Sequence, residues 1–157
     1  MRTTKHLMLW SSLATLALLV TAATRENVTK DWRVLQASAK GPNGPVEERL
    51  RQVVVPTLHA ADRCVTCHVG MATGEPNVSG DPILKKHPPV GHDPSTMGCT
   101  ACHAGQGRAT EKEDAHGTAE FWPSPMIPLV YADAGCGGCH THLEVPSASE
   151  LKESLAL

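Results

Sequence analysis

All six cysteines of the 157-residue chain fall into three copies of one pattern: Cys64-Val65-Thr66-Cys67-His68, Cys99-Thr100-Ala101-Cys102-His103 and Cys136-Gly137-Gly138-Cys139-His140. C-x-x-C-H is the attachment pattern of c-type haem. Two thiols at that spacing reach the two vinyl groups of one porphyrin as thioethers, and the adjacent histidine is carried beneath the ring to bond the iron. Rival chemistries fit less well. Zinc ribbons use cysteine pairs two at a time, which leaves one pair unmatched and the recurring histidine unexplained. A thioredoxin-like redox pair expects one C-x-x-C in a strand–helix context. A disulfide framework suits an exported chain but gives no reason to repeat this spacing and this histidine three times. The pattern predicts three covalently bound haem c groups. Cys64, Cys67, Cys99, Cys102, Cys136 and Cys139 attach them, and His68, His103 and His140 are the proximal iron ligands.

Composition explains why such groups are needed. The chain has only five aromatic residues, one of them Trp10 near the N-terminus, against 13 Gly and 12 Pro. Too few large side chains remain for a conventional sandwich, barrel or doubly wound sheet, and long regular elements are excluded by the glycine and proline. Three apolar macrocycles would supply the missing core. The copies start 35 and 37 residues apart and share little else, which reads as three sites in one compact domain. The expected fold is mostly irregular with short α-helices, its core made by the haems, preceded by an N-terminal apolar helix. With 14 basic and 16 acidic residues and no basic stripe interleaved with aromatics, nucleic acid is not an expected partner.

Residues 1–23 read as a membrane anchor or signal segment. Arg2 and Lys5 precede an uncharged run from Leu7 to Ala23, a pattern that sends the downstream chain across a membrane. Val20 and Ala22 suit the small-residue positions of a cleavage site, and the 17-residue run fits either fate. A helical connector is expected over 24–55, with one helix from Asn27 to Ala39, a break at Gly41-Pro42-Asn43-Gly44-Pro45, and a second helix from Val46 to about Val54. The haem domain is expected over 56–157. Ser147-Ala148-Ser149-Glu150 has capping-box spacing ahead of Leu151 and Leu155, predicting a short closing helix.

An iron that only passes electrons needs a second protein ligand, whereas one that binds a substrate needs an open side. Apart from His6 and the proximal histidines, the chain offers His59, His87, His92, His116 and His142, five for three positions. His87 and His92 sit in Lys86-His87-Pro88-Pro89-Val90-Gly91-His92, where prolines stiffen the backbone. His116 precedes Gly117, which allows close approach to a ring. These three are assigned as distal ligands. His59 is a candidate for a neighbouring haem, Met126 for thioether ligation, and His142 for an exposed or propionate-bonding role. Arg108 reads as a propionate partner.

Several runs carry a family likeness. They are Asp31-Trp32-Arg33 with Gln36, Arg51-Gln52-Val53-Val54-Val55-Pro56, Asp62-Arg63-Cys64, His87-Pro88, Gly98-Cys99 through Gly105-Gln106-Gly107-Arg108-Ala109-Thr110, and Ala115-His116-Gly117. Over roughly residues 26–140 the chain resembles the membrane-anchored multihaem c-type cytochromes of bacterial respiratory chains. The resemblance implies an electron relay rather than an enzyme, tethered by an uncleaved helix, with His87, His92 and His116 as distal ligands. Its expected place is the outer face of a bacterial cytoplasmic membrane, or the periplasm after cleavage. The expected partners are redox proteins or respiratory-complex subunits, between a quinol-linked donor and a periplasmic or partner-subunit acceptor. Two histidines without Met imply relatively low potentials. The competing expectations are a haem enzyme or gas sensor with one open iron, and a structural haem subunit of a larger complex. Without residues 1–23 the chain carries 12 basic and 16 acidic residues, net −4. Six propionates and three ferric centres would take it to about −7, so a partner with a positive patch is expected.

Overall fold

The computed structural model describes residues 2–141. The closing helix predicted around Ser147 to Leu155, and His142, lie outside the described residues. Helix α1 spans Arg2–Val28, 27 residues, or roughly 40 Å at the usual rise per residue. It is long and apolar enough to cross a membrane, as both an anchor and an export signal are, and its apolar run is not buried against the rest of the chain. Most of its hydroxyls are satisfied within the helix. Ser12, Thr15, Thr21 and Thr24 each donate to the carbonyl four residues back, at 2.8–2.9 Å, which lets polar side chains sit in an apolar helix.

The helix predicted over Asn27–Ala39 is interrupted. Thr29 and Lys30 lie between α1 and α2 (Asp31–Ser38), and Lys30 has extended backbone angles. The break turns α2 so that Trp32 and Gln36 are buried, and the Arg33 guanidinium lies over the Trp32 ring at 4.7 Å. The Gly-Pro-Asn-Gly-Pro break is a tight hairpin: β1 (Lys40–Gly41) pairs antiparallel with β2 (Gly44–Pro45) around Pro42 and Asn43.

The second predicted helix, Val46 to Val54, does not form. Residues 46–52 are irregular, and β3 (Val53–Val55) follows. Side chains from elsewhere claim this backbone. The fully buried Gln36 accepts from the Arg49 N–H (2.8 Å) and donates to the Arg49 carbonyl (3.0 Å). The fully buried Thr66 hydroxyl accepts from the Arg51 N–H (3.0 Å) and donates to its carbonyl (2.7 Å). A helix would have consumed those groups internally. Three consecutive valines then favour a strand. β3 pairs antiparallel with β4 (Ala60–Asp62), through a single turn at Pro56–Leu58.

Beyond β4 the chain is mostly irregular with short helices: α3 (Cys64–Cys67), α4 (Pro94–Met97), α5 (Thr100–His103) and α6 (Lys112–Ala115), then 3-10 turns over Leu129–Gly138. The largest apolar cluster is small. Ala39, Val46, Val69 and Leu84 are buried together, with Val78 and Ile83 against them.

Candidate cofactor sites

Each C-x-x-C-H segment folds into the same turn. The histidine N–H donates to the carbonyl of the first cysteine at 2.9 Å in all three: His68 to Cys64, His103 to Cys99 and His140 to Cys136. This bond closes a helical turn, so both thiols and the imidazole emerge from one short segment. All six thiols are free.

The surrounding chain fixes these turns relative to one another. The first is held by Thr66 inside it, which also offers its carbonyl to Gln36 at 2.7 Å. The second is held by Asp62, whose carboxylate is 1% exposed. One oxygen accepts from the N–H groups of Cys99 (2.6 Å) and Thr100 (2.9 Å), and the other from the Thr100 hydroxyl (2.7 Å). Asp62 therefore caps the second turn from the strand that leads into the first. Gly107 makes room for this carboxylate, because a Cβ there would run into Asp62 Oδ1 and Thr100. The Gly107 carbonyl meanwhile accepts from the Arg63 N–H at 2.6 Å. The third turn approaches the second from the other side. A Cβ on Gly135 would strike the Cys102 carbonyl, and the Ile127 N–H donates to the His103 carbonyl at 2.8 Å. The second turn thus touches both others, and its Cys99 thiol shares a hydrogen bond with Cys64.

That shared bond pushes the Cys99 thiol up and the Cys64 thiol down. Burial raises Cys67 and Cys102. Burial also lowers His68, with smaller pushes from His116 and Lys85, and lowers His103, with a smaller push from His87. Both shifts favour the neutral imidazole, the form that binds a metal. Their Nδ1 atoms are buried without a hydrogen-bond partner, a costly state for an imidazole that packs on protein alone.

The distal candidates fall unevenly. His87 lies across from His103 with ring centroids 6.1 Å apart and planes at 59°. His92 faces His140 at 5.7 Å and 23°. Nδ1 of His87 lies 2.7 Å from the Pro88 carbonyl; since a carbonyl only accepts, Nδ1 carries the proton and the Nε2 lone pair is left to bind. Backbone carbonyls commonly orient metal-binding imidazoles in this way. His116 is half-buried, near enough to bear on His68, and its carbonyl accepts from the Met126 N–H at 2.8 Å. His59 is exposed, in the left-handed conformation that closes the turn between β3 and β4. Arg108 is exposed, its carbonyl held by the Arg63 guanidinium at 3.1 Å.

These residues fit c-type haems. At each site the thiols and the imidazole emerge from one turn, and the rings of His87 and His103 and of His92 and His140 face in pairs, a donor set that a c-type haem with two histidine ligands would use. Among the described residues no three His, Cys, Asp or Glu side chains gather as a metal cluster, and zinc would need such a convergence. No family model, curated protein or solved structure matches the chain.

Sequence reasoning about ligands passed over the residues that position the turns. Asp62, Gln36 and Arg51 stood inside the runs that carry the family likeness, without a role. Glu75 gave no signal at all, yet it receives a two-point pair from the buried Arg51 guanidinium at 2.8 and 3.0 Å.

Proposed function

We propose that this chain is an electron-transfer protein carrying three haem c groups. It would relay electrons from a membrane, quinol-linked donor to a periplasmic or partner-subunit acceptor, at the outer face of a bacterial cytoplasmic membrane. Each haem supplies a one-electron iron couple and a large apolar body. The chain's own residues do the rest. Cys64 and Cys67, Cys99 and Cys102, and Cys136 and Cys139 would hold the three groups as thioethers. His68, His103 and His140 would each offer an imidazole nitrogen to one iron, and His87, His92 and His116 a second, which would leave no side open to substrate. Asp62 holds the first and second attachment turns together, and the close approach at Gly135 holds the second and third. Arg108 would pair with a propionate.

One observation carries this reading. Three C-x-x-C-H turns, each closed by the same 2.9 Å bond, are packed against one another through the middle one. The test is haem stoichiometry by pyridine haemochrome, followed by the visible spectrum of the reduced protein before and after carbon monoxide. Three haems and no shift are expected. A protein without covalent haem overturns the reading. A shift of one third of the absorbance replaces the relay with an open-iron enzyme or sensor.

A further inference from the structure

The segment 86–92 carries two distal candidates only five residues apart, and their rings face different proximal histidines. His87 faces His103 of the second site, and His92 faces His140 of the third. We propose that this one loop closes two different irons, His87 the iron on His103 and His92 the iron on His140, and so staples the second and third sites together. The inference rests on the haem reading above and adds to it the assignment of ligands to sites.

The distances suit the assignment. Metal–imidazole nitrogen bonds are about 2 Å, and a ring centroid lies roughly 1 Å behind its nitrogen, so two imidazoles on opposite sides of one iron have centroids about 6 Å apart. The observed values are 6.1 Å and 5.7 Å. Direct packing of two imidazoles face to face would bring them closer, and a hydrogen bond between them would leave one Nδ1 or Nε2 satisfied. No hydrogen bond joins His87 to His103, and Nδ1 of His87 is already committed to the Pro88 carbonyl. The loop between them suits a spacer. Pro88 and Pro89 limit its backbone, and five residues span at most about 18 Å. Neither histidine can leave its site without pulling on the other. His116 is then left for the iron on His68.

The two pairs also differ in a way that can be read out. The planes of His87 and His103 are twisted by 59°, whereas those of His92 and His140 are nearly parallel at 23°. In low-spin ferric haem with two imidazoles, the anisotropy of the electron paramagnetic resonance signal grows with that twist. His87→Ala and His92→Ala are each expected to keep three haems and to convert one of the three to a high-spin, carbon monoxide-binding form. His87→Ala should remove a signal of large anisotropy, and His92→Ala one of smaller anisotropy. In the two-haem variant Cys136→Ala/Cys139→Ala, adding His92→Ala should convert nothing further, while adding His87→Ala should still convert one haem. The assignment is overturned if His92→Ala still creates a high-spin haem in that background, or if either single variant leaves all three haems low-spin. If the two-haem variant does not accumulate, the single variants decide: loss of the same signal in both overturns the proposal, and loss of different signals in the stated order supports it. Absence of covalent haem in the unaltered protein would instead sink the parent reading.

Discussion

Asp62 is the place to test how the attachment turns are held. Its buried carboxylate accepts three hydrogen bonds, from the N–H groups of Cys99 and Thr100 and from the Thr100 hydroxyl. Hydrogen bonds to a charged group contribute about 1.5–3 kcal/mol each, so three amount to roughly 4–9 kcal/mol. Keeping the carboxylate out of water takes back several kcal/mol of that. Asp62→Ala should therefore cost about 3–5 kcal/mol, partly as donors left unsatisfied. Asp62→Asn keeps the shape: its carbonyl can face the two N–H groups and its amide the Thr100 oxygen, but the charge is lost. Charge-assisted bonds are about twice as strong as neutral ones, so the Asn variant should cost about 2 kcal/mol. For a domain of this size each kcal/mol moves the melting temperature by about 3–6 °C. Far-UV circular dichroism of the purified protein should thus show a fall of at least about 10 °C for Ala and a smaller one for Asn. Hydrogen exchange should locate the damage at the amides of Cys99 and Thr100. If Asp62→Ala melts like the parent and those amides keep their protection, Asp62 does not clamp the second turn and the argument is wrong.

Other expectations are more quickly checked. Gly135→Ala drives a Cβ into the Cys102 carbonyl and should cost about 1–3 kcal/mol, as overpacking does; limited proteolysis should show new cleavage within 127–141, and an unchanged digest would count against the contact. The Arg51 guanidinium holds the Glu75 carboxyl below its usual value of 4.5, against burial and with help from Arg49. A depressed carboxyl contributes stability that is fully present above its unfolded value and is lost as pH falls through the folded one. The gap between parent and Glu75→Gln should therefore be constant down to about pH 5 and close below it; a constant gap at every pH would exclude this linkage. If the proposed relay meets a redox partner, association should slow as salt rises, because residues 24–157 carry a net −4, and a rate indifferent to ionic strength would remove the electrostatic argument.

What was legible in the sequence was what local chemistry decides. The three turns were readable because each is closed by a bond spanning four residues, between a histidine and a cysteine of the same motif. The apolar run of α1 and the hairpin at Pro42–Asn43 are equally local. Residues 46–54 misled because their pattern permits a helix in isolation. The groups that prevent it, Gln36 and Thr66, are 13 and 15 residues away. Arg51 and Glu75 meet across 24 residues, and Asp62 reaches Cys99 across 37. Which rings face one another was hidden for the same reason. His87 and His92 are five residues apart in sequence but face histidines 16 and 48 residues further on, and spacing does not say which turn either one meets.

The break at Thr29–Lys30 has a mechanical consequence. Lys30 grips Glu26 at the end of α1 (2.9 Å) and Glu111 at the cap of α6 (2.8 Å). Beyond it, α2 is pinned by Trp32 and Gln36. Surface ion pairs of this kind contribute little and yield to salt. The junction is thus a soft pivot joined to a stiff load, not a continuous beam. In an anchored chain such a pivot would let the three turns, held at fixed mutual spacing, tilt as one body relative to the bilayer.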